Sequence, residues 1–295
     1  MGRYDKFMSI ASRRSFLVQA AAALSANKLS FARDPLRASN LGVQLYTVRK
    51  IIGQDPATVL KAIQDIGYNE VEVTYSMVEQ IWPALKQTTL KPISVHIDKD
   101  MLAGDPTHVE TVMKDLKDRR FEYVVLSFYQ IGEGGVDGVK RAANVMNHAA
   151  ERAKANGMTF CYHNHAHDLK PVEGTPALEL LMRETQKDLV FLEIDIFWAS
   201  VAGHDPAEML KKYSGRVPLL HLKDKAQGVP VAFNENVRRD AFKEVGSGSI
   251  NIPAVLSAAD SAGVRHYFVE QDETPGDPIA SLRQSYKYLS GQFKS

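Results

Sequence analysis

The chain has 295 residues, 44% hydrophobic and 24% charged, a balance that supports one core domain of roughly 250 residues plus an extension and excludes disordered, collagenous and disulfide-built classes. With 36 Lys+Arg against 35 Asp+Glu the net charge is +1, so the basic footprint of a protein that neutralises many phosphates is missing and nucleic acid is not an expected partner. The single cysteine, Cys161, excludes an intramolecular disulfide.

Residues 12–17 read SRRSFL and run into the alanine-rich VQAAAALSA, a mildly apolar stretch too short to span a bilayer. Arg13-Arg14 in this position resembles a twin-arginine export signal, with cleavage expected after Ala32 or, alternatively, near Ala23 or Ala26. A short amphipathic helix is the other reading. The expected organisation is an export signal over 1–32 and one domain over 33–295, placed in the periplasm or otherwise exported, with the twin-arginine machinery as partner of the precursor and no membrane contact in the mature form. That route carries folded proteins, often with a cofactor loaded, which raises the expectation of a metal site.

From residue 41 onward the chain alternates. Runs rich in β-branched and aromatic residues at 41–48, 70–75, 91–97, 123–128, 158–165, 189–197, 217–223 and 264–271 predict eight strands. Between and after them, apolar spacings of three and four predict helices over 56–66, 76–88, 106–119, 136–156, 175–187, 205–214, 251–263 and 277–291. Asp55-Pro56, Asp105-Pro106, Asp205-Pro206 and Asp277-Pro278 are helix starts, and Gly67, Gly157 and Gly263 are helix stops. Eight strand-helix units of about 30 residues predict a (β/α)8 TIM barrel. A doubly wound open sheet is the alternative; it rarely needs eight regular units, and no Gly-rich phosphate loop follows the first strand.

In such a barrel, chemistry sits at the carboxyl ends of the strands. The fifth strand ends in YHNHAHD, with His163 and His165 on one face and His167 beyond. The sixth ends in EIDIFW, with Glu193 and Asp195 on one face, the seventh in HLKD, with His221 and Lys223 on one face, and the eighth in VEQDE, with Glu270 near its tip. Four consecutive strands each offering His, Asp or Glu at one height form a mononuclear site for a hard or borderline divalent ion. A lone histidine in such a strand would more often be a satisfied core group. Glu72 and His96, at the ends of the second and third strands, are aimed at the mouth and suited to the hydroxyls of a substrate; Glu70 shares the face of Glu72 one layer down, so either of the two is a candidate buried structural acid. Phe197 and Trp198 either stack on the apolar face of a bound ring or pack in the core. The polar connection 224–250 reads as a covering loop beside the site. Its GSGS at 246–249 could hold an anion ahead of a helix.

The combination of YHNH, EIDIFWA with GHDP, VPLLHLKD, FVEQDE and GYNEVEV on the second strand resembles the xylose-isomerase-like barrel superfamily, the sugar phosphate isomerase/epimerase group, over residues 41–291. The resemblance implies one divalent ion, manganese first, with zinc, cobalt or magnesium as alternatives, held by His163, Asp195, His221 and Glu270. It also implies a small-molecule sugar substrate, and a homo-oligomer is possible. In the ketose 3-epimerases of this group the fifth-strand ligand is a glutamate that shuttles a proton opposite the eighth-strand glutamate. Here His163 stands in that place, so either Glu270 works alone or His165 or Lys223 replaces the lost carboxylate.

An ion that bridges a ketone and its neighbouring hydroxyl opens enediolate chemistry. The first expectation is a metal-dependent sugar isomerase or epimerase with Glu270 as base and Lys223 as electrostatic stabiliser or acid. The runner-up is a lyase, hydrolase or dehydratase acting on an oxidised sugar or 3-keto-glycoside. A non-catalytic sugar-binding protein is the third reading. Endonuclease-type members, which bind three metals and DNA, are disfavoured by the charge.

Overall fold

Parallel strands covered by helices must be apolar on the face toward the helices, and they can carry polar groups inward only where those groups satisfy one another. The computed structural model describes residues 35–103 and 105–294, so the expected export signal and its cleavage sites lie outside the described residues. Within them, eight parallel strands close into a barrel: β1 Leu41–Gln44, β2 Glu70–Thr74, β3 Lys91–Ile97, β4 Tyr123–Leu126, β5 Thr159–His163, β6 Val190–Asp195, β7 Leu219–Leu222 and β8 His266–Val269. Each strand pairs with the next, and β8 returns to β1 with Tyr267 opposite Leu41 and Val269 opposite Val43. The outer helices are α1 Pro56–Ile66, α2 Tyr75–Leu85, α3 Pro106–Asp118, α4 Gly135–Ala155, α5 Ala177–Glu184, α6 Pro206–Lys212, α7 Ile252–Ala262 and α8 Pro278–Ser290. The chain is thus a TIM barrel, as its alternating pattern predicts.

The start signals act as expected. The carboxylates of Asp55, Asp105, Asp205 and Asp277 accept backbone N–H bonds from Thr58, Thr107, Ala207 and Ile279 at 3.0, 3.3, 2.8 and 3.0 Å. Gly67, Gly157 and Gly263 all have positive φ. At two strand ends a side chain turns the chain into a helix before the apolar run is finished. At the end of β1 the Gln44 side chain accepts from the Tyr46 N–H at 3.1 Å, and 45–52 becomes helical. At the end of β6 the Asp195 carboxylate caps a short helix, Ile196–Val201.

One parity of strand residues, including Val43, Val71, Val95, Val124, Phe160, Ile194, Leu220 and Tyr267, joins the helices in the main core. The other parity fills the barrel interior. At its base Tyr123, Val125, Cys161, Phe191, Leu219 and Phe268 are buried. Gly42 lies at the same depth because a Cβ there would come within 2.8 Å of the Glu70 carbonyl and of Phe268. Toward the carboxyl ends the interior turns polar.

Candidate metal centre and active site

Four side chains converge where β5 to β8 end. The donor atoms that His163, Asp195, His221 and Glu270 can each offer lie within 4.8 Å of one another, and all four residues are buried. Backbone register aligns them: Asp195 pairs with His221 across β6 and β7, and His163 pairs with Glu193 across β5 and β6. Three of the four have one atom already committed. Asp195 Oδ1 accepts from the Trp198 N–H at 2.9 Å, His163 Nδ1 faces the Ser127 carbonyl at 3.4 Å, and His221 Nε2 meets Glu72 Oε1 at 2.6 Å. The other atom of each points at the centre. His163 Nε2 is buried without a hydrogen-bond partner, and Asp195 Oδ2, 3.4 Å from it, makes no hydrogen bond and has the Lys223 ammonium in ion-pair range. His221 Nδ1 lies 2.9 Å from Glu270 Oε2. A buried imidazole nitrogen left without a partner, with the Asp195 oxygen, a second imidazole and a carboxylate gathered around it, fits a divalent cation, since an unpaired buried polar atom is costly and this donor set suits zinc or manganese. Asn164 braces the arrangement by donating to the Asp195 carbonyl at 3.4 Å and accepting from its N–H at 3.1 Å.

Lys223, almost fully buried, places Nζ 3.1 Å from Asp195 Oδ2, 2.8 Å from Glu270 Oε2 and 2.8 Å from Asp272 Oδ1. These partners, rather than Asp224 or Glu193, are its ion pairs. Burial alone would lower the Lys223 pKa, but Asp195, Asp272 and Glu270 hold it well above the ordinary lysine value, so the ammonium is a fixed charge. Against the raising effect of burial, Lys223 and His221 keep Glu270 below the usual carboxylate range. Burial pushes Asp272 up to about 6.

A second cluster sits one layer deeper. Glu72 Oε1 accepts from Gln44 Nε2 at 2.8 Å, Glu72 Oε2 accepts from the Ser94 hydroxyl, and His96 Nε2 lies 2.7 Å from Glu193 Oε2 and 3.0 Å from Glu72 Oε1. Burial would lower the His96 pKa, but the two carboxylates raise it to about 10, so His96 carries a charge between them. The expectation that Glu72 reaches the mouth is therefore corrected. A register shift between Val71 and Glu72 sets Glu72 opposite Ser94 and leaves Thr74 opposite His96 at the higher level. Glu72 instead orients His221 from behind, as a carboxylate behind a metal-ligating imidazole does.

A cavity of about 540 Å³ opens above the centre, lined among others by His96, His163, His165, Trp198, Lys223, Glu270 and Asp272. His96 borders it while keeping Nε2 in the deeper cluster. His165 faces it as a neutral imidazole: burial, then His163 and Lys223, lower its pKa well below the ordinary value, and its buried Nδ1 has no partner. Of the two aromatic candidates, Trp198 lines the cavity, whereas Phe197 is buried and stacked on Phe242 with centroids 4.4 Å apart. Glu70 is the structural acid expected, paired with His266 Nδ1 at 2.8 Å.

The connection 224–250 does border the cavity, through Glu235, Val237, Arg239 and Phe242. The expected anion at GSGS is supplied by the chain itself. Asp224 Oδ2 accepts from Gly246 N and Gly248 N, each at 2.9 Å, and Oδ1 accepts from Lys225 N and Ile250 N at 2.8 and 3.2 Å. Sequence reasoning missed Asp272, which shares the strand parity of Glu270 and could have been found by it. It also missed Glu235, whose partner His167 lies 68 residues away and left no local signal.

This barrel with an acidic and imidazole donor set at its carboxyl end defines a xylose-isomerase-like fold. Residues 124–291 match the family model of the xylose isomerase-like TIM barrel, and the chain belongs to that family. Among curated relatives it is 31% identical over 160 residues to the inosose dehydratase of Clostridium perfringens, a match covering 51% of this chain and 53% of that protein. The chain therefore spans about half the length of the curated relatives it matches. In fold it is similar to a sugar phosphate isomerase/epimerase from Parabacteroides distasonis, with TM-score 0.69, 22% identity and coverage of 84% of this chain and 96% of that one. It is also similar to IolI solved with a zinc atom, with TM-score 0.66, 16% identity and coverage of 87% and 99%.

Proposed function

We propose that the protein is an exported, divalent-metal-dependent enzyme that removes the proton beside the carbonyl of a keto-sugar or keto-polyol and expels a group from the next carbon, as a dehydratase or lyase does. The carrying observation is one-sidedness. The carboxylates nearest the donor set that also line the cavity, Glu270 and Asp272, both come from the end of β8, while the β5 donor is the imidazole of His163. An epimerase needs a group on each face of the substrate; an elimination in which proton and leaving group depart from one face needs only one side. The similarity to inosose dehydratases supports this reading over the isomerase or epimerase expected first.

His163, Asp195, His221 and Glu270 would hold the ion. Manganese remains the expectation from the resemblance, and zinc suits the two-imidazole, two-carboxylate set equally. When bound, the ion polarises the substrate carbonyl as a Lewis acid. Glu270 holds a carboxylate beside the acidified carbon and takes its proton with the oxygen not turned to His221. Lys223 offsets the negative charge that develops, and Asp272, 2.8 Å from Nζ, returns a proton to the departing oxygen. Trp198 lays an apolar face along the sugar ring. A second reading, epimerisation, is favoured by one feature: the free Nδ1 of His165 offers a base on the opposite wall.

NMR in deuterated water with free sugars, keto-cyclitols, 3-keto-sugars and keto-glycosides separates the readings. Loss of water or of an alcohol is the expected result. Deuterium uptake with the skeleton intact would establish the isomerase or epimerase instead, and no exchange at all would establish a binding protein. Glu270→Gln should lower turnover by roughly 10²-fold, the scale of general-base loss, while much of the ion is retained.

A further inference from the structure

Among the described residues four large apolar side chains stand exposed: Tyr46 at 40%, Phe128 at 39%, Val231 at 66% and Phe233 at 36%. All four leave the carboxyl ends of strands, and Tyr46 and Phe128 border the cavity itself. Tyr46 follows β1 and Phe128 follows β4, so the two rings rise from different sides of the mouth. Single exposed apolar residues need no explanation, but two aromatic rings at the rim of a polar cavity do.

Both rings are backed. The Arg49 guanidinium lies 4.0 Å from the Tyr46 ring centroid, and Arg49 itself donates to the Tyr46 carbonyl and to Glu273, each at 3.0 Å. The Phe128 ring rests on His165 and His167 with centroids 5.2 and 4.8 Å away. His167 is fixed in turn by Glu235 at 2.6 Å and Asp168 at 3.0 Å. A ring held from behind while its remaining surface stays open is a platform that loses little entropy when something stacks on it. Trp198, only 3% exposed, serves the ring at the metal centre, so Tyr46 and Phe128 are left for a second one.

The chemistry around them says which kind. Arg49, Arg239, Glu273 and Asp98 also border the cavity. A flat aromatic substituent would have no use for these four charged groups, whereas a pyranose has an apolar C–H face for stacking and a girdle of hydroxyls for carboxylates and guanidinium groups. We infer that Tyr46 and Phe128 form a subsite for a second sugar ring, so that the substrate is a keto-disaccharide rather than a free monosaccharide. The inference rests on the reading of the cavity as a keto-sugar site. In the reaction the proton beside the carbonyl passes to Glu270, the C–O bond to the second sugar breaks, its electron pair leaves with that oxygen, and the oxygen takes up a proton. The products are an unsaturated keto-sugar and an intact sugar.

The test is calorimetric binding to the metal-loaded full chain. The probes are the 3-keto forms of methyl hexosides, phenyl hexosides and the disaccharides maltose, cellobiose, lactose and trehalose, all tested in a Glu270→Gln background so that they bind without turnover. At least one disaccharide should bind about tenfold more tightly than the matching methyl hexoside. Tyr46→Ala and Phe128→Ala should each weaken that disaccharide by about 2- to 10-fold, the range of one aromatic contact, and leave methyl hexosides within about twofold. Tyr46→Leu and Phe128→Leu keep bulk without a ring face and should behave like the alanine variants, with thermal midpoints unchanged because both positions are exposed. Disaccharides that bind no better than methyl hexosides would overturn the subsite and leave the sugar reading standing. Phenyl hexosides that match or exceed disaccharides would overturn the second pyranose in favour of an aromatic substituent. If no sugar of the panel binds, the reading of the cavity falls, and the subsite with it.

Discussion

At the scale of single residues, the centre is built by dividing each side chain between two tasks. Asp195 caps a helix with Oδ1 and turns Oδ2 toward the centre; His221 gives Nε2 to Glu72 and turns Nδ1 toward Glu270. These roles separate in variants. Asp195→Ala should abolish most metal uptake, measured by elemental analysis after reconstitution, because it removes a charged donor from the set. Glu72→Gln lies outside the cavity lining and keeps a hydrogen-bond acceptor, yet it weakens the hold on the His221 tautomer. Metal affinity, read by competition with a chromophoric chelator, should fall by about 10- to 100-fold, as it does when the partner behind a metal-bound histidine is lost. Unchanged affinity in Glu72→Gln would mean that the deeper cluster merely fills the barrel.

At the scale of elements, the long connection 224–250 is tied down at its base and near its middle by carboxylates. Asp224 satisfies four backbone N–H groups, and Glu235 accepts from the His167 side chain on the β5 connection. The second tie depends on pH. Burial would lower the His167 pKa from its ordinary 6.5, but Asp168 and Glu235 raise it to about 10, so folding favours the charged imidazole. The stability this contributes is fully present below about pH 6.5, declines as pH rises and is lost above about 10. Amide exchange around 230–240 should therefore quicken between pH 7 and 10 relative to the intrinsic rate, and His167→Gln should show the faster behaviour at every pH. An identical pH profile in the variant would detach the loop from this pair. The contrast with the barrel strands explains what a sequence can disclose. Strand and helix boundaries follow local periodicity, so the eight units and the shared height of His163, Asp195, His221 and Glu270 were readable. The depth of Glu72 was not, because β2 runs on to Thr74, which takes the mouth position of that parity opposite His96. The Glu235–His167 tie was not either, because it joins two irregular segments.

At the scale of the whole molecule, the polar interior of the barrel is where the chain spends stability on function. Glu72, Glu193, Asp195 and Glu270 are buried there against three groups held positive, Lys223, His96 and His221, and a divalent cation taking the place of the proton on His221 Nδ1 would offset the negative charge that remains. The proposed twin-arginine signal over residues 1–32 would carry such a centre already assembled. The fold itself is closed well downstream of that segment. β1 begins at Leu41, and the two ends of the described chain meet where the Lys294 N–H donates to the Leu36 carbonyl at 3.3 Å. Changing Arg13 and Arg14 together to Lys should consequently hold the precursor in the cytoplasm while leaving its metal content and thermal midpoint unaltered, as fractionation and melting of the purified protein would read. A chain beginning at Arg33 should likewise fold with the midpoint of the full-length protein. Export that survives the double change would remove the signal assignment, and a truncated chain that melts markedly earlier would show that residues before Arg33 belong to the barrel.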